Sequence, residues 1–204
     1  MRKLFGAAVV AGAVALSLGG AADAKTFRYA TTGDILGLDP HINNEGPTNT
    51  MKNNIYEGLI HRAWDLSLHP ALATEWEQVN PTTWRFKLRQ GVKFHSNDKF
   101  TPSRDFNADD VIFTFERQAS ADHPWHEYIP GITYEYYSSM EMDKLIKSIE
   151  KVDDHTVKFT LNQPEAPFLA NVAMPFVSIV SKEYADALDA AGTREDLNNA
   201  PIGT

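Results

Sequence analysis

Residues 83–95 read TWRFKLRQGVKFH, and this stretch carries the clearest structural pattern in the chain. Between positions 84 and 88, apolar and charged side chains alternate, as they do in a strand that buries one face. Gln90-Gly91 then supplies a turn, and the alternation resumes over residues 92–94. The stretch therefore predicts an antiparallel hairpin with one buried face.

Residues 107–118, NADDVIFTFERQ, place two adjacent carboxylates directly before an apolar run. Asn107 is a preferred N-cap residue. Asp110, three positions later, can complete a capping box by accepting a hydrogen bond from the Asn107 main-chain N–H. Carboxylates are also favourable at the positive end of a helix dipole. Since no further carboxylate or histidine cluster completes an acid/base or metal set, Asp109 and Asp110 indicate the start of a helix.

The remaining periodicities predict a mixture of helices and strands. They indicate a strand from Lys25 that ends at Gly33, a helix over 48–60, an irregular surface loop over 120–140, an edge strand over 146–152, a strand over 157–161, a helical turn at 168–169, and a helix capped by Ser181 and ended by Gly192. The predicted fold class is α/β in the mixed α+β sense, with an ordinary hydrophobic core.

Composition excludes several classes of function. The chain has 204 residues, a formal net charge of −8 and no cysteine. An acidic chain is a poor binder of nucleic acid, whose phosphates require basic surfaces, so we expect no nucleic-acid partner. The lack of cysteine excludes disulfides, thiolate metal sites and cysteine nucleophiles.

The first residues are typical of an export signal. Arg2 and Lys3 precede a short apolar stretch that ends in small residues, with Ala-Asp-Ala at 22–24 as a cleavage signature. A membrane anchor is the alternative, but the apolar core is short and rich in glycine, whereas a spanning helix needs roughly 20 apolar residues. We predict a signal peptide over residues 1–24 and an exported chain that begins at Lys25.

No common catalytic motif is present. The G-x-S-x-G, HExxH, Walker and GxGxxG signatures are absent, and the histidines are scattered. His123 and His126 have a spacing that metals use on helices, but Pro124 interrupts the helical frame and we interpret both as surface histidines. The four tryptophans could line a sugar or peptide cleft or could belong to the core. We expect no catalytic residue, no metal ligand and no cofactor, and the residues alone leave the function open.

Several long segments, in their order and spacing, resemble a known family. They are LHPALATEWE (68–77), TWRFKLRQGVKFH (83–95), FNADDVIFTFERQ (106–118), VDDHTVKFTLNQPEAPFLANVAM (152–174) and APIGT (200–204). Together they are similar to the peptide-binding solute receptors of ABC importers, the extracytoplasmic solute-binding family 5. The similarity covers essentially the whole sequence after residue 24, and within the family it is greatest to the receptors for dipeptides.

The resemblance implies a periplasmic binding protein type II-like fold in which two lobes close on a ligand, within a considerably longer chain. We therefore expect this sequence to be an amino-terminal part of such a receptor. On this basis residues 25–56 begin the major lobe, residues 57–181 form the family's extra subdomain, and residues 182–204 return to the major lobe. The charged anchors for the two ends of a peptide would lie in the second lobe.

The resemblance also implies a function and a site. It indicates a monomeric periplasmic receptor that captures dipeptides or short peptides, delivers them to the permease subunits of an ABC transporter, and breaks no bond. The loop after the first strand corresponds to the edge that lies along a bound peptide, so Thr32, Gly33, Asp34 and Leu36 are the candidate ligand-binding residues. For Gly33 and Asp34 the alternative is a turn in which they only satisfy backbone geometry.

Two alternatives to a peptide receptor remain. Within the same family the cargo could be an oligopeptide, nickel, haem or a sugar. From another class, the chain could be an exported hydrolase or an interaction domain. A hydrolase would need a nucleophile and a base that converge in one cleft, and the sequence contains no motif that provides them.

Overall fold

The computed structural model describes residues 30–204, which contain four β-strands in one antiparallel sheet and a separate two-stranded hairpin. The elements are α1 (Gly46–Lys52), β1 (Ile60–Arg62), β2 (Leu68–Pro70), β3 (Ala73–Asn80), β4 (Thr83–Leu88), α2 (Ala108–Ala119), α3 (Glu135–Ser139), α4 (Met142–Leu145), β5 (Ile146–Asp153), β6 (Thr156–Leu161), α5 (Phe168–Val172), a 3₁₀ turn (Pro175–Val177), α6 (Lys182–Ala191) and α7 (Asp196–Asn199). The order of the strands in the larger sheet is β3-β4-β6-β5.

The core forms where the sheet meets α2. Phe86 on β4 lies opposite Val157 on β6, and its ring centroid is 5.3 Å from that of Phe159. Phe115 on α2 packs against the same Phe159 ring at 5.1 Å. All four side chains are fully buried, so the alternating pattern of β4 marks the buried face of the sheet correctly.

The hairpin predicted within residues 83–95 is wrong in its second strand. β4 pairs instead with the preceding β3, through a turn in which the Asn80 side chain accepts a hydrogen bond from the Thr82 N–H. Two register shifts interrupt this pairing, so β3 lacks the strict alternation by which a strand is recognised. Gly91 does adopt the positive φ of a turn, 72°, but residues 92–94 form no strand and β6 occupies the other edge of β4.

The helix predicted over residues 48–60 is shorter in the structure, because α1 ends at Lys52. Leu59 and Ile60 belong instead to the hairpin segment, and the Ala73 N–H donates to the Leu59 carbonyl at 2.9 Å. This long-range pairing outweighs the modest helical periodicity of the sequence, since most helical stability in proteins comes from tertiary packing.

The helix start predicted at Asn107 is confirmed. The Asn107 side chain accepts from the Asp109 N–H at 2.9 Å, and the Asp110 carboxylate accepts from the Asn107 N–H at 3.0 Å. The Asp110 carboxylate also accepts two hydrogen bonds from the Arg104 guanidinium and one from the Lys182 N–H at the start of α6. This buried carboxylate therefore closes one helix and ties it to another.

The predictions for the later part of the chain are confirmed. β5 is an edge strand paired with β6, and the predicted helical turn is α5. At the start of α6 the Ser181 side chain accepts from the Tyr184 N–H at 3.2 Å. Gly192 ends that helix with a φ of 70°.

The interpretation of residues 120–140 as a surface loop is wrong. Its large aromatic side chains are buried: Trp125, Tyr128, Tyr134 and Tyr137. The two histidines are half-buried and held locally, because His126 Nδ1–H donates to the Arg117 carbonyl and the Trp125 N–H donates to His123 Nδ1. An irregular backbone can enter a core when its polar groups find partners in this way.

The predicted signal peptide over residues 1–24 lies outside the described residues, as does the strand from Lys25 up to residue 29. Residues 30–34 form no strand. None of the helices within 30–204 has the length and apolar character that crossing a membrane requires.

Candidate functional site

The loop that contains the candidate ligand-binding residues Thr32, Gly33, Asp34 and Leu36 lies on the surface. All four residues are exposed, and 61% of the Leu36 surface is accessible. The Leu36 N–H donates to Thr48 Oγ1 at 3.3 Å, which fixes the end of the loop to α1. No backbone group of residues 32–35 is hydrogen bonded to another residue of the described chain. The loop therefore presents main-chain donors and acceptors beside an apolar side chain.

The backbone conformation of Gly33 does not require glycine. Its φ lies outside the left-handed region, and a Cβ added there would meet Pro47 Cγ at 3.6 Å, an ordinary contact. Turn geometry within this chain therefore gives no reason for a glycine at position 33.

The end of the loop is held against α7. The Leu38 and Asp39 N–H groups both donate to the Asn198 side-chain oxygen, at 2.9 and 3.0 Å. A Cβ on Gly37 would lie 2.5 Å from the same oxygen, so a larger residue at position 37 would displace the Asn198 side chain. The candidate loop thus projects from a fixed base.

Asp39, at the base of the loop, forms a buried ion pair with Arg117. The side chains of Asp39 and Arg117 are both fully buried, and Arg117 Nη2 lies 2.5 Å from Asp39 Oδ1. The Tyr128 hydroxyl donates to the other carboxylate oxygen at 2.6 Å. Burial, the largest single influence, raises the pKa of Asp39, but the Arg117 charge, the neighbouring His41 and the hydrogen bonds from Arg117 and Tyr128 together outweigh it and lower this pKa to about 2. The pair is ionised and fastens the base of the loop to α2.

His41 completes the cluster as a neutral residue. Its Nδ1 accepts from Arg117 Nε at 3.0 Å, so its Nε2 carries the hydrogen and donates to the Ser178 carbonyl at 2.7 Å. Burial and the neighbouring Arg117 charge lower the pKa of His41 to about 3. The remaining surface of Arg117 is covered by aromatic rings, since its Cζ lies 5.5 Å from the Tyr134 centroid and 5.7 Å from that of Tyr128.

This cluster does not have the geometry of a hydrolytic triad. Ser178 contacts His41 through its main-chain carbonyl and not through its hydroxyl. The Nδ1 of His41 is 3.8 Å from Asp39 and already accepts from Arg117, so it cannot donate to the carboxylate as a catalytic histidine does. Across residues 30–204 there is also no group of three or more side chains that could hold a metal ion.

The sequence contained one signal for this cluster that the pattern analysis missed. Arg117 lies four residues after Phe113 on the buried face of α2. A buried arginine requires an acidic partner. That partner, Asp39, is 78 residues away in sequence, so only the fold could show which carboxylate it is.

The fold is that of the type II periplasmic binding proteins, which confirms the predicted class. The dipeptide binding protein from Pseudoalteromonas sp. SM9913, solved in complex with Met-Leu, matches with a TM-score of 0.78 at 38% identity. The match covers 83% of this chain and 34% of that one.

The chain belongs to the bacterial extracellular solute-binding proteins, family 5, whose middle region matches residues 67–204. It is 44% identical over 194 residues to the dipeptide-binding protein of Escherichia coli (strain K12), covering 94% of this chain and 36% of that protein. It is also 44% identical over 183 residues to heme-binding protein A of Haemophilus influenzae, covering 88% and 33% respectively. The chain thus spans about a third of the length of these relatives.

Proposed function

We propose that this chain supplies the ligand-facing edge of the first lobe of a periplasmic receptor. That receptor captures dipeptides or short peptides and delivers them to the permease subunits of an ABC transporter. The observation that carries the proposal is the exposed loop over residues 32–36, whose main-chain groups between 32 and 35 bond to no other described residue. An extended peptide can pair with such main-chain groups while its side chains occupy neighbouring pockets. The similarity to proteins named for dipeptide binding supports this cargo.

The proposed division of the chain places residues 25–56 and 182–204 in the major lobe and residues 57–181 in the extra subdomain. The entry and exit of that subdomain lie side by side, because the Ile179 N–H donates to the Glu57 carbonyl at 2.8 Å. An inserted subdomain requires this proximity of its two ends. The final residues pack against the segment that follows β4, where the His95 N–H donates to the Gly203 carbonyl at 2.9 Å.

Transport by such a receptor involves binding and closure and no covalent chemistry. Two lobes close about a hinge around the ligand, and the closed form is the one that the permease recognises. The receptor acts as a monomer in the periplasm, and it is not an enzyme. The buried, neutral state of His41 supports the last point, because this histidine is inaccessible to a substrate.

A chimera tests the proposed function. Residues 30–204 replace the matching segment of the Escherichia coli dipeptide-binding protein, and dipeptide binding is measured by isothermal titration calorimetry with Met-Leu. We expect a Kd within about tenfold of the parent value, because the two chains are 44% identical over 194 residues. The 204-residue chain by itself is expected to show no micromolar binding, since it supplies only one side of a two-lobed trap.

Two outcomes would contradict this proposal. A folded chimera that binds no dipeptide would show that residues 32–36 do not form a peptide-facing edge. Preferential binding of hemin in the same titration would favour the haem cargo suggested by the Haemophilus relative.

A further inference from the structure

A concave surface lies apart from the candidate loop. It is a cavity of about 860 Å³ between the β1–β2 hairpin and the segment before the 3₁₀ turn. Residues 32–36 do not line it, whereas Arg62, Arg89 and Glu57 do. Pockets of this volume are typical of sites that hold small molecules or short peptide segments.

Most arginines in the described part of the chain form an ion pair with a carboxylate, but two do not. Six arginines lie within residues 30–204. Four of them pair with a carboxylate: Arg85 with Glu77, Arg104 with Asp110, Arg117 with Asp39, and Arg194 with Asp189. The other two, Arg62 and Arg89, have no carboxylate partner within that range, and both line this cavity. We propose that the cavity binds a carboxylate group through Arg62 and Arg89.

The hydrogen bonds of the two arginines hold the side chains in place but leave some of their N–H donors free. Arg89 follows β4 and donates its main-chain N–H to the Leu72 carbonyl at 2.7 Å and its Nε–H to the Ala71 carbonyl at 3.0 Å. Arg62 lies on β1, and its only side-chain contact of this kind in the described residues is with Met174 Sδ at 3.9 Å. A guanidinium carries five N–H donors, so both side chains keep donors in the fork arrangement that fits a carboxylate.

Glu57 limits which carboxylate-bearing ligands fit. It also lines the cavity, and its Oε2 accepts from the Thr204 hydroxyl at 3.1 Å. This negative charge opposes an anion placed beside it, so the ligand carboxylate lies at the arginines and a neutral or donor part faces Glu57. The cavity is also larger than a single carboxylate requires, which allows either a free small acid or an acidic side chain of a polypeptide segment.

The test uses two probes of different origin. Amide chemical shifts of the 204-residue chain are followed during titration at low ionic strength with succinate and, separately, with a blocked pentapeptide that contains two glutamates. Succinamide and the glutamine version of the peptide are the neutral controls. We expect saturable shifts at Gly58, His61 and Ala71, which line the cavity, with at least one of the two acidic probes and with neither neutral control.

The arginines are tested with Arg62→Gln, Arg89→Gln and the double variant, against Arg85→Gln as a matched control on the exposed face of the sheet. We expect the double variant to weaken binding roughly tenfold or more and the control to leave it unchanged. Because Arg62 and Arg89 are exposed, the variants should stay folded, and their dispersed spectra verify this. Binding of succinate alone assigns a free acid, and binding of the peptide alone assigns a polypeptide segment. Shifts with neither probe, or an equal loss in Arg85→Gln, would overturn the proposal.

Discussion

An Arg117→Met variant is expected to lose about 3–5 kcal/mol of unfolding free energy. The substitution leaves the fully buried Asp39 carboxylate with the Tyr128 hydroxyl and the His41 main-chain N–H but without a compensating charge. Truncating one partner of a buried ion pair is costly mainly because the other charge stays desolvated. Urea unfolding followed by circular dichroism at neutral pH measures the loss.

The control for this prediction is Arg85→Met, which breaks the exposed pair with Glu77. Both of those side chains are substantially accessible, at 43% and 60%, so this change should cost at most about 1 kcal/mol. Adding Asp39→Asn to Arg117→Met should recover part of the stability, because it removes the unpaired charge. Equal losses in Arg117→Met and Arg85→Met would show that the buried pair does not anchor the loop base.

Acid should destabilise the protein chiefly through His41. Its pKa is about 3 in the folded protein, against an ordinary value of 6.5, so between these pH values the unfolded chain binds a proton that the folded chain does not. Stability is therefore lost as the pH falls from 6.5 to 3, by on the order of 5 kcal/mol for this group. Asp39, whose pKa falls from 3.8 to about 2, adds a further loss only below pH 4. Lys52, whose burial lowers its pKa to about 8, titrates far above this window.

The measurement is the free energy of unfolding at pH 7, 5.5 and 4 for the wild type and for His41→Gln. The glutamine variant should be less stable at pH 7 but show a flatter dependence on pH, because the buried proton acceptor is gone. His61→Gln, at an exposed position on β1, is the matched control and should keep the wild-type slope. An unchanged slope in His41→Gln would show that His41 takes up its proton without unfolding.

The elements predicted correctly from sequence are those whose signals are local. The Asn107 cap with Asp110, the strands β5 and β6 and the Ser181–Gly192 helix each depend on residues within a few positions of one another. The predicted pairing of β4 with residues 92–94 was wrong. Register shifts in β3 hide the alternation of that strand, and pairing across a sheet is not a local property of the sequence. The prediction that residues 120–140 form a surface loop was wrong for a related reason. The partner of the Tyr128 hydroxyl, Asp39, lies 89 residues away, so the sequence around Tyr128 does not show that it is buried.

The candidate loop shows a different limit of sequence analysis. Thr32, Gly33, Asp34 and Leu36 were selected by resemblance, and their role in binding stays a prediction. The structure adds that the loop is exposed and that its base is held by Asn198. The anchoring pair of Asp39 and Arg117 could not be derived from sequence spacing, because a contact across 78 residues leaves no periodic signal.

The most direct test of the central claim, that this loop lies along a bound peptide, is the Kd of Met-Leu for the chimera carrying Leu36→Asp. The matched control is Leu66→Asp, because Leu66 has nearly the same accessibility, 63% against 61%, and lies in the β1–β2 turn. The account predicts that Leu36→Asp weakens binding by roughly tenfold or more, while Leu66→Asp stays within about twofold of the unmodified chimera. Unmodified affinity in both variants would show that the loop does not face the peptide.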